Sequence, residues 1–192
     1  MDGSNKMNEV SKQEFRPANH TLPAAIKDEI PPAEVKVLGE APDIHWKQVS
    51  NGSPRDFLIV LGKNDDLIAG LYKFAESHKI KGASFTAIGA VGATALAFFD
   101  KDKRHYKVIR VPKQAELVAF SGNIGRKEGK YVVHAHGVLS LEDGQCVGGH
   151  FLYASVWPTV EVMLHETEVS VEKALDTETS LSFYSARMMD CP

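Results

Sequence analysis

The chain has 192 residues, 43% of them hydrophobic and 24% charged, and a formal net charge of −3; this suits one domain with its own core plus an extension. Residues 1–54 carry six Lys/Arg against eight Asp/Glu, and residues 55–192 carry sixteen against seventeen, so no basic domain exists to draw the chain to nucleic acid by bulk charge. Two cysteines without metal spacing (Cys146 and Cys191), no apolar leader and no bilayer-length apolar run set the expectation of a soluble cytoplasmic protein, with no membrane partner.

Six of the nine prolines fall in residues 1–54. Such a stretch cannot sustain long helical or strand periodicity. Residues 1–50 are therefore expected to form an extended or disordered arm, ending in a short packed strand near "HWKQVS", and residues 51–192 to form the folded domain. "RDFLIVLG", from Arg55, reads as a strand with apolar residues almost throughout, hence covered on both faces. In "KNDDLIAGLYKFAESHKIKG", Asp65 or Asp66 can cap a helix whose Leu67, Leu71, Phe74 and Ala75 form one apolar stripe. Lys79 and Lys81 suit its C-terminal dipole, and Gly82 is the expected stop.

Short strand-like segments follow: "ASFTAIGAV", "ATALAFFD", "HYKVIRV", "AELVAFSGNI", "KYVVHAHGVLS", "CVGGHFLYASV", "TVEVMLHETEV" and "LSFYSA". Turns are expected at Asp100-Lys101-Asp102, Pro112, Glu128-Gly129, Glu142-Asp143-Gly144 and Pro158. Many strands and one convincing helix predict an α+β domain with a mostly antiparallel sheet. "GAVG" (Gly89, Gly92) lacks the third glycine of a dinucleotide fingerprint, and "GNIGRKEGK" is one residue short of a phosphate loop, so both read as turns. No nucleophile-elbow serine occurs, and the residues name no reaction.

The chemistry concentrates in "HAHGVLSLEDGQCVGGHFL", where three of the eight histidines fall within seventeen residues. Side chains at i and i+2 share a strand face, so His134 and His136 point the same way. A two-residue loop at Asp143-Gly144 would set His150 on the opposite face. A three-residue loop, Glu142-Asp143-Gly144 with the glycine left-handed, instead sets His150 directly opposite His136, with His134 on the diagonal. Three neutral imidazoles with an open position suit zinc or a similar divalent ion; the plain alternative is histidines bonded to each other or to backbone. Cys146 shares the face but lies roughly 13 Å along the strand from His150. Glu161, in "WPTVEVML", is a further candidate ligand or proton acceptor if its strand lies beside the histidines.

The order of the helix, "ASFTAIGAVGATAL", "ELVAFSGNIGRKEGKYVVHAHGVLS", "GGHFLYASVWPTVEVML" and "LSFY" resembles the plants-and-prokaryotes-conserved (PPC) domain over residues 55–187. The most specific matches are the HxH strand, GGH and Pro-Thr-x-Glu. The resemblance implies one main helix on an antiparallel sheet, a homotrimer, a metal site (zinc by preference) at His134, His136 and His150, and the DNA-binding label carried by bacterial members. The chain lacks the RGRP-type AT-hook of plant members, which supplies their minor-groove contacts. Three readings follow: a trimeric metal- or small-ligand-binding domain of regulatory role, a DNA-associated regulator, or a structural oligomerisation module.

Overall fold

The structure is a computed structural model and describes residues 21–184. The first twenty residues of the expected arm, and Cys191, lie outside the described residues. The elements run β1 (Glu29–Ile30), a 3-10 turn (Pro32–Glu34), β2 (His45–Gln48), β3 (Asp56–Leu61), α1 (Leu67–Ser77), β4 (Ala83–Asp100), β5 (His105–Val111), β6 (Ala115–Lys127), β7 (Lys130–Ser140), β8 (Cys146–Glu166), β9 (Lys173–Leu175) and β10 (Ser182–Tyr184). The strand ladders are antiparallel, and α1 is the one α-helix among the described residues. The fold is the expected α+β.

Asp66 is the N-cap of α1: its side chain accepts a hydrogen bond from the Ile68 N–H at 3.0 Å. The neighbouring Asp65 instead accepts from the Asp43 and Gly62 N–H groups, tying the segment before β2 to the helix start. Leu67, Leu71, Phe74 and Ala75 are all buried, as their spacing predicts. The helix stops before the expected Gly82. It is His78 that caps α1, and Lys79 takes the left-handed conformation at φ 52°, which leaves Lys79 and Lys81 beyond the last turn. Gly82 serves packing instead, since a Cβ there would meet Val171 Cγ2 at 2.5 Å.

The eight-stranded sheet has the order β1-β5-β4-β6-β7-β8-β3-β2, and β4 pairs with β8 as well. That extra ladder closes β4, β6, β7 and β8 into a ring. "ASFTAIGAV" and "ATALAFFD" are one strand, β4, and "CVGGHFLYASV" and "TVEVMLHETEV" are one strand, β8. Pro158 marks no turn. It lies where the β4–β8 register shifts between Gly89↔Val160 and Val91↔Val156, so its missing N–H costs no ladder bond. "GAVG" is likewise not a turn but a bulged stretch of β4.

The inner face packs on α1 through Phe57, Ile59, Phe85, Phe120, Leu139 and Phe151. The outer face is divided. Residues 22–38 lie across part of it, where Ile26 and Ile30 pack on Ala97, Tyr106 and Leu152. Over β3 it stays half-exposed: Phe57, Ile59 and Leu61 are buried, but Leu58 and Val60 are not. The expectation that both faces of β3 are covered holds only in part within one chain, because Leu58 and Val60 on the outer surface stay part-exposed. No helix among the described residues is long and apolar enough to cross a membrane.

Candidate metal centre

The turn between β7 and β8 sets the site. Gly144 has φ +80° and its N–H donates to Leu141 O, while the Leu141 N–H donates to Gln145 O at 2.8 Å. This is the three-residue loop with a left-handed glycine. The ladder that follows pairs Ser140 with Cys146 and His136 with His150. On its other edge β7 pairs with β6, placing Asn123 opposite His134 and Ser121 opposite His136. These side chains lie on the outer face, because the alternating Phe120, Ile124, Ala135 and Phe151 belong to the inner core.

The structure brings His134, His136 and His150 together, with one potential ligand atom from each lying within 4.8 Å of the others. The His134 and His136 Nε2 atoms face each other at 3.1 Å. Two imidazole ligands of a tetrahedral zinc stand about 3.3 Å apart, so this pair already has a chelating separation. The ring of His150 stacks on Tyr106 at 4.9 Å with 7° between planes, which fixes its orientation. Its Nδ1 is buried without a hydrogen-bond partner, and an unpaired polar atom at such a place is costly unless something else engages the ring. His136 is exposed and leaves the group open to solvent on one side.

The electrostatics favour neutral imidazoles. Burial, then the Lys173 charge, then His136 lower the pKa of His134 to about 4. Burial and the charges of His134, His136 and Lys173 lower that of His150 to about 3. Burial also lowers His136. A neutral imidazole is the ligand form, so at pH 7 no proton has to leave before a cation binds. The donor set, the orphaned nitrogen and the protonation state together fit a divalent metal.

Glu161 is not brought to this group. It is exposed on β8, opposite Ile88 and Val60, eleven residues along the strand from His150. At strand rise that is on the order of 35 Å. Cys146 is exposed and lies at the ladder's turn end, outside the three-histidine group. Two neighbours went unread in the sequence. Tyr106 looked like one of several strand aromatics. Lys173, in "SVEKAL", looked like a solvated lysine, yet it is 5% exposed and its ammonium donates to Asn123 Oδ1 at 2.6 Å. No local pattern marks it, since β9 reaches β6 only through tertiary packing.

A small α+β domain, closed by a β4–β8 ladder and bearing three histidines on its outer face, is the class that the fold and the site define. The chain belongs to the Plants and Prokaryotes Conserved (PCC) domain family, whose sequence profile matches residues 48–168. No curated protein matches its sequence. Among solved structures it is similar to a plant- and prokaryote-conserved protein of Pyrococcus horikoshii, with 25% identity and TM-score 0.65 over 73% of this chain and 94% of that one. A metal-containing protein of Archaeoglobus fulgidus aligns with 28% identity and TM-score 0.63, over 73% and 98%. A candidate DNA-binding protein of Ralstonia eutropha aligns with 25% identity and TM-score 0.67, over 73% and 94%.

Proposed function

We propose that the protein is a regulatory, homotrimeric domain that binds a divalent metal, zinc by preference, through His134, His136 and His150. The observation that carries this is the convergence of three neutral imidazoles around one point, with a buried His150 nitrogen left without a partner. The description of the Archaeoglobus relative as metal-containing supports the same reading. A zinc held by these three imidazoles would supply Lewis-acid character to an oxygen ligand. The chain's own part is to hold the rings: Tyr106 packs flat on His150, and the β7–β8 ladder fixes His136 opposite it. Trimer formation is supported by the uncovered apolar surface around Leu58, Val60, Ile88 and Met163, which a second copy of the chain would bury.

DNA binding is the second reading, carried by the name of the Ralstonia relative. A net charge of −3, with no basic domain, weighs against it.

Elemental analysis of protein purified without a polyhistidine tag tests the metal reading. About one ion per chain is expected, along with a rise in melting temperature on adding zinc. His136→Ala, at an exposed position that folding tolerates, and His150→Ala should both abolish the ion. No bound metal and no thermal response to zinc would overturn the reading.

A further inference from the structure

The outer face carries a second polar feature that three imidazoles do not account for. Lys173 projects from β9 across Gly125 of β6, where a Cβ would meet its Cε at 3.1 Å and its Cγ at 3.2 Å. A side chain at this glycine of "GNIG" would crowd the stem and the Val171 carbonyl, 2.9 Å from that Cβ. Its ammonium ends against Asn123 Oδ1 at 2.6 Å, and Asn123 is the direct ladder partner of His134. The Tyr184 ring lies 5.3 Å from the ammonium. These contacts come from three separate strands: β6, β9 and β10.

The charge balance around the ammonium is incomplete. Lys173 is 5% exposed, and no carboxylate among the described residues forms an ion pair with it. Its partners are an amide oxygen and an aromatic face, neither of which carries a negative charge. The adjacent histidines are neutral and so add none. A buried ammonium is costly unless a negative charge neutralises it, and the described residues supply none. Burial pulls the Lys173 pKa down to about 8, which still leaves the amine largely protonated at pH 7. Its charge reaches both His134 and His150, lowering their proton affinity.

We propose that Lys173, positioned by Asn123 and Gly125, forms an oxyanion-binding subsite beside the three histidines, so that this face takes a small ligand bearing a carboxylate or phosphate group. The proposal rests on the reading of the face as a ligand site, and not on which metal the histidines hold. The ammonium would supply a point charge and hydrogen bonds to the anion.

The test uses the full chain in two forms, zinc-loaded and chelator-stripped, with inorganic phosphate and acetate as separate probes at constant ionic strength. Melting temperature and calorimetric titration are read on wild type, Lys173→Met and Lys173→Gln. Wild type is expected to gain several degrees with one or both anions. Both variants are expected to lose that gain and to bind the anion at least tenfold more weakly, with unchanged zinc stoichiometry. Without anion, Lys173→Met is expected to melt at or above the wild-type temperature, since it removes a buried charge that no described carboxylate pairs; a lysine serving only to brace the fold would lower it. Equal anion responses in wild type and both variants, or no response in wild type in either metal state, would overturn the subsite. A changed sedimentation of the variants in place of a changed anion response would also overturn it, assigning Lys173 to an ion pair between copies. Absence of zinc with an intact Lys173-dependent anion response removes the metal reading alone and supports the subsite.

Discussion

Asp66 is asked to be a helix cap and a buried charge at once. It is 2% exposed; one oxygen accepts from the Ile68 N–H and, at 3.5 Å, from the Ala154 N–H, while Oδ2 has no partner. Burial outweighs the backbone hydrogen bonds and raises its pKa from 3.8 to about 6. A carboxyl whose folded pKa exceeds its unfolded value stabilises the fold fully below the unfolded pKa and loses that contribution as pH rises through the folded one. Here the window is 3.8 to about 6, and the shift corresponds to roughly 3 kcal/mol between the protonation states. Asp66→Asn keeps an oxygen cap but cannot ionise. Urea unfolding at pH 4, 5 and 7.5 should therefore show wild type losing stability relative to Asp66→Asn as pH rises across that window. A constant difference between the two proteins at all three pH values would mean that Asp66 titrates normally. That an aspartate caps α1 was legible in the sequence. Its burial was not, because that depends on β8 and residues 38–40 closing over it.

At the scale of elements, the long strands β4 and β8 depend on their irregularities. Gly89 has φ +148°, and a Cβ would sit 2.3 Å from Thr159 O and 2.7 Å from Val160 Cα. The ladders to β6 and β8 both shift register at this residue. Gly89→Ala forces two backbones apart and a side chain into a conformation it rarely adopts. It should cost about 3 kcal/mol or more. Gly129→Ala, at φ +78° in the β6–β7 turn with nothing within 4 Å, should cost only about 1 kcal/mol of strain. Equilibrium denaturation of the two variants measures the contrast, and equal losses would contradict the packing account. The same bulge explains where strand reading of the sequence fails. Gly89, Gly92 and Pro158 are local punctuation signals, so β4 and β8 each read as two strands. A bulge uses those residues without ending the strand. The β7–β8 hairpin read correctly because "EDG" fixes its own loop geometry, and one loop fixes the facing of all three histidines.

For the whole molecule, the single chain leaves its outer face unfinished. Ile88 is 62% exposed, Val118 49% and Met163 38%. Ile88 lies opposite Glu161, and Met163 opposite Leu58 and Thr86, so the exposed apolar side chains of β3, β8 and β4 are interspersed with Glu161 and Thr86. "RDFLIVLG" reads as covered on both faces when one chain covers only one, a pattern that the proposed assembly would account for. Large apolar side chains exposed together, rimmed by polar ones, are what an interface between copies would cover. For the trimer proposed above, sedimentation velocity of wild type should give the mass of three chains. Ile88→Asp places a charge in the middle of the proposed contact and, being exposed in the monomer, does not disturb the core; it should shift the protein to a single-chain mass. The histidines belong to a different part of the outer face, framed by residues of their own chain. The dissociated variant should accordingly keep its metal stoichiometry and its Lys173-dependent anion response. Loss of either on dissociation would show that a second copy completes the site, whereas wild type sedimenting as one chain would overturn the interface itself.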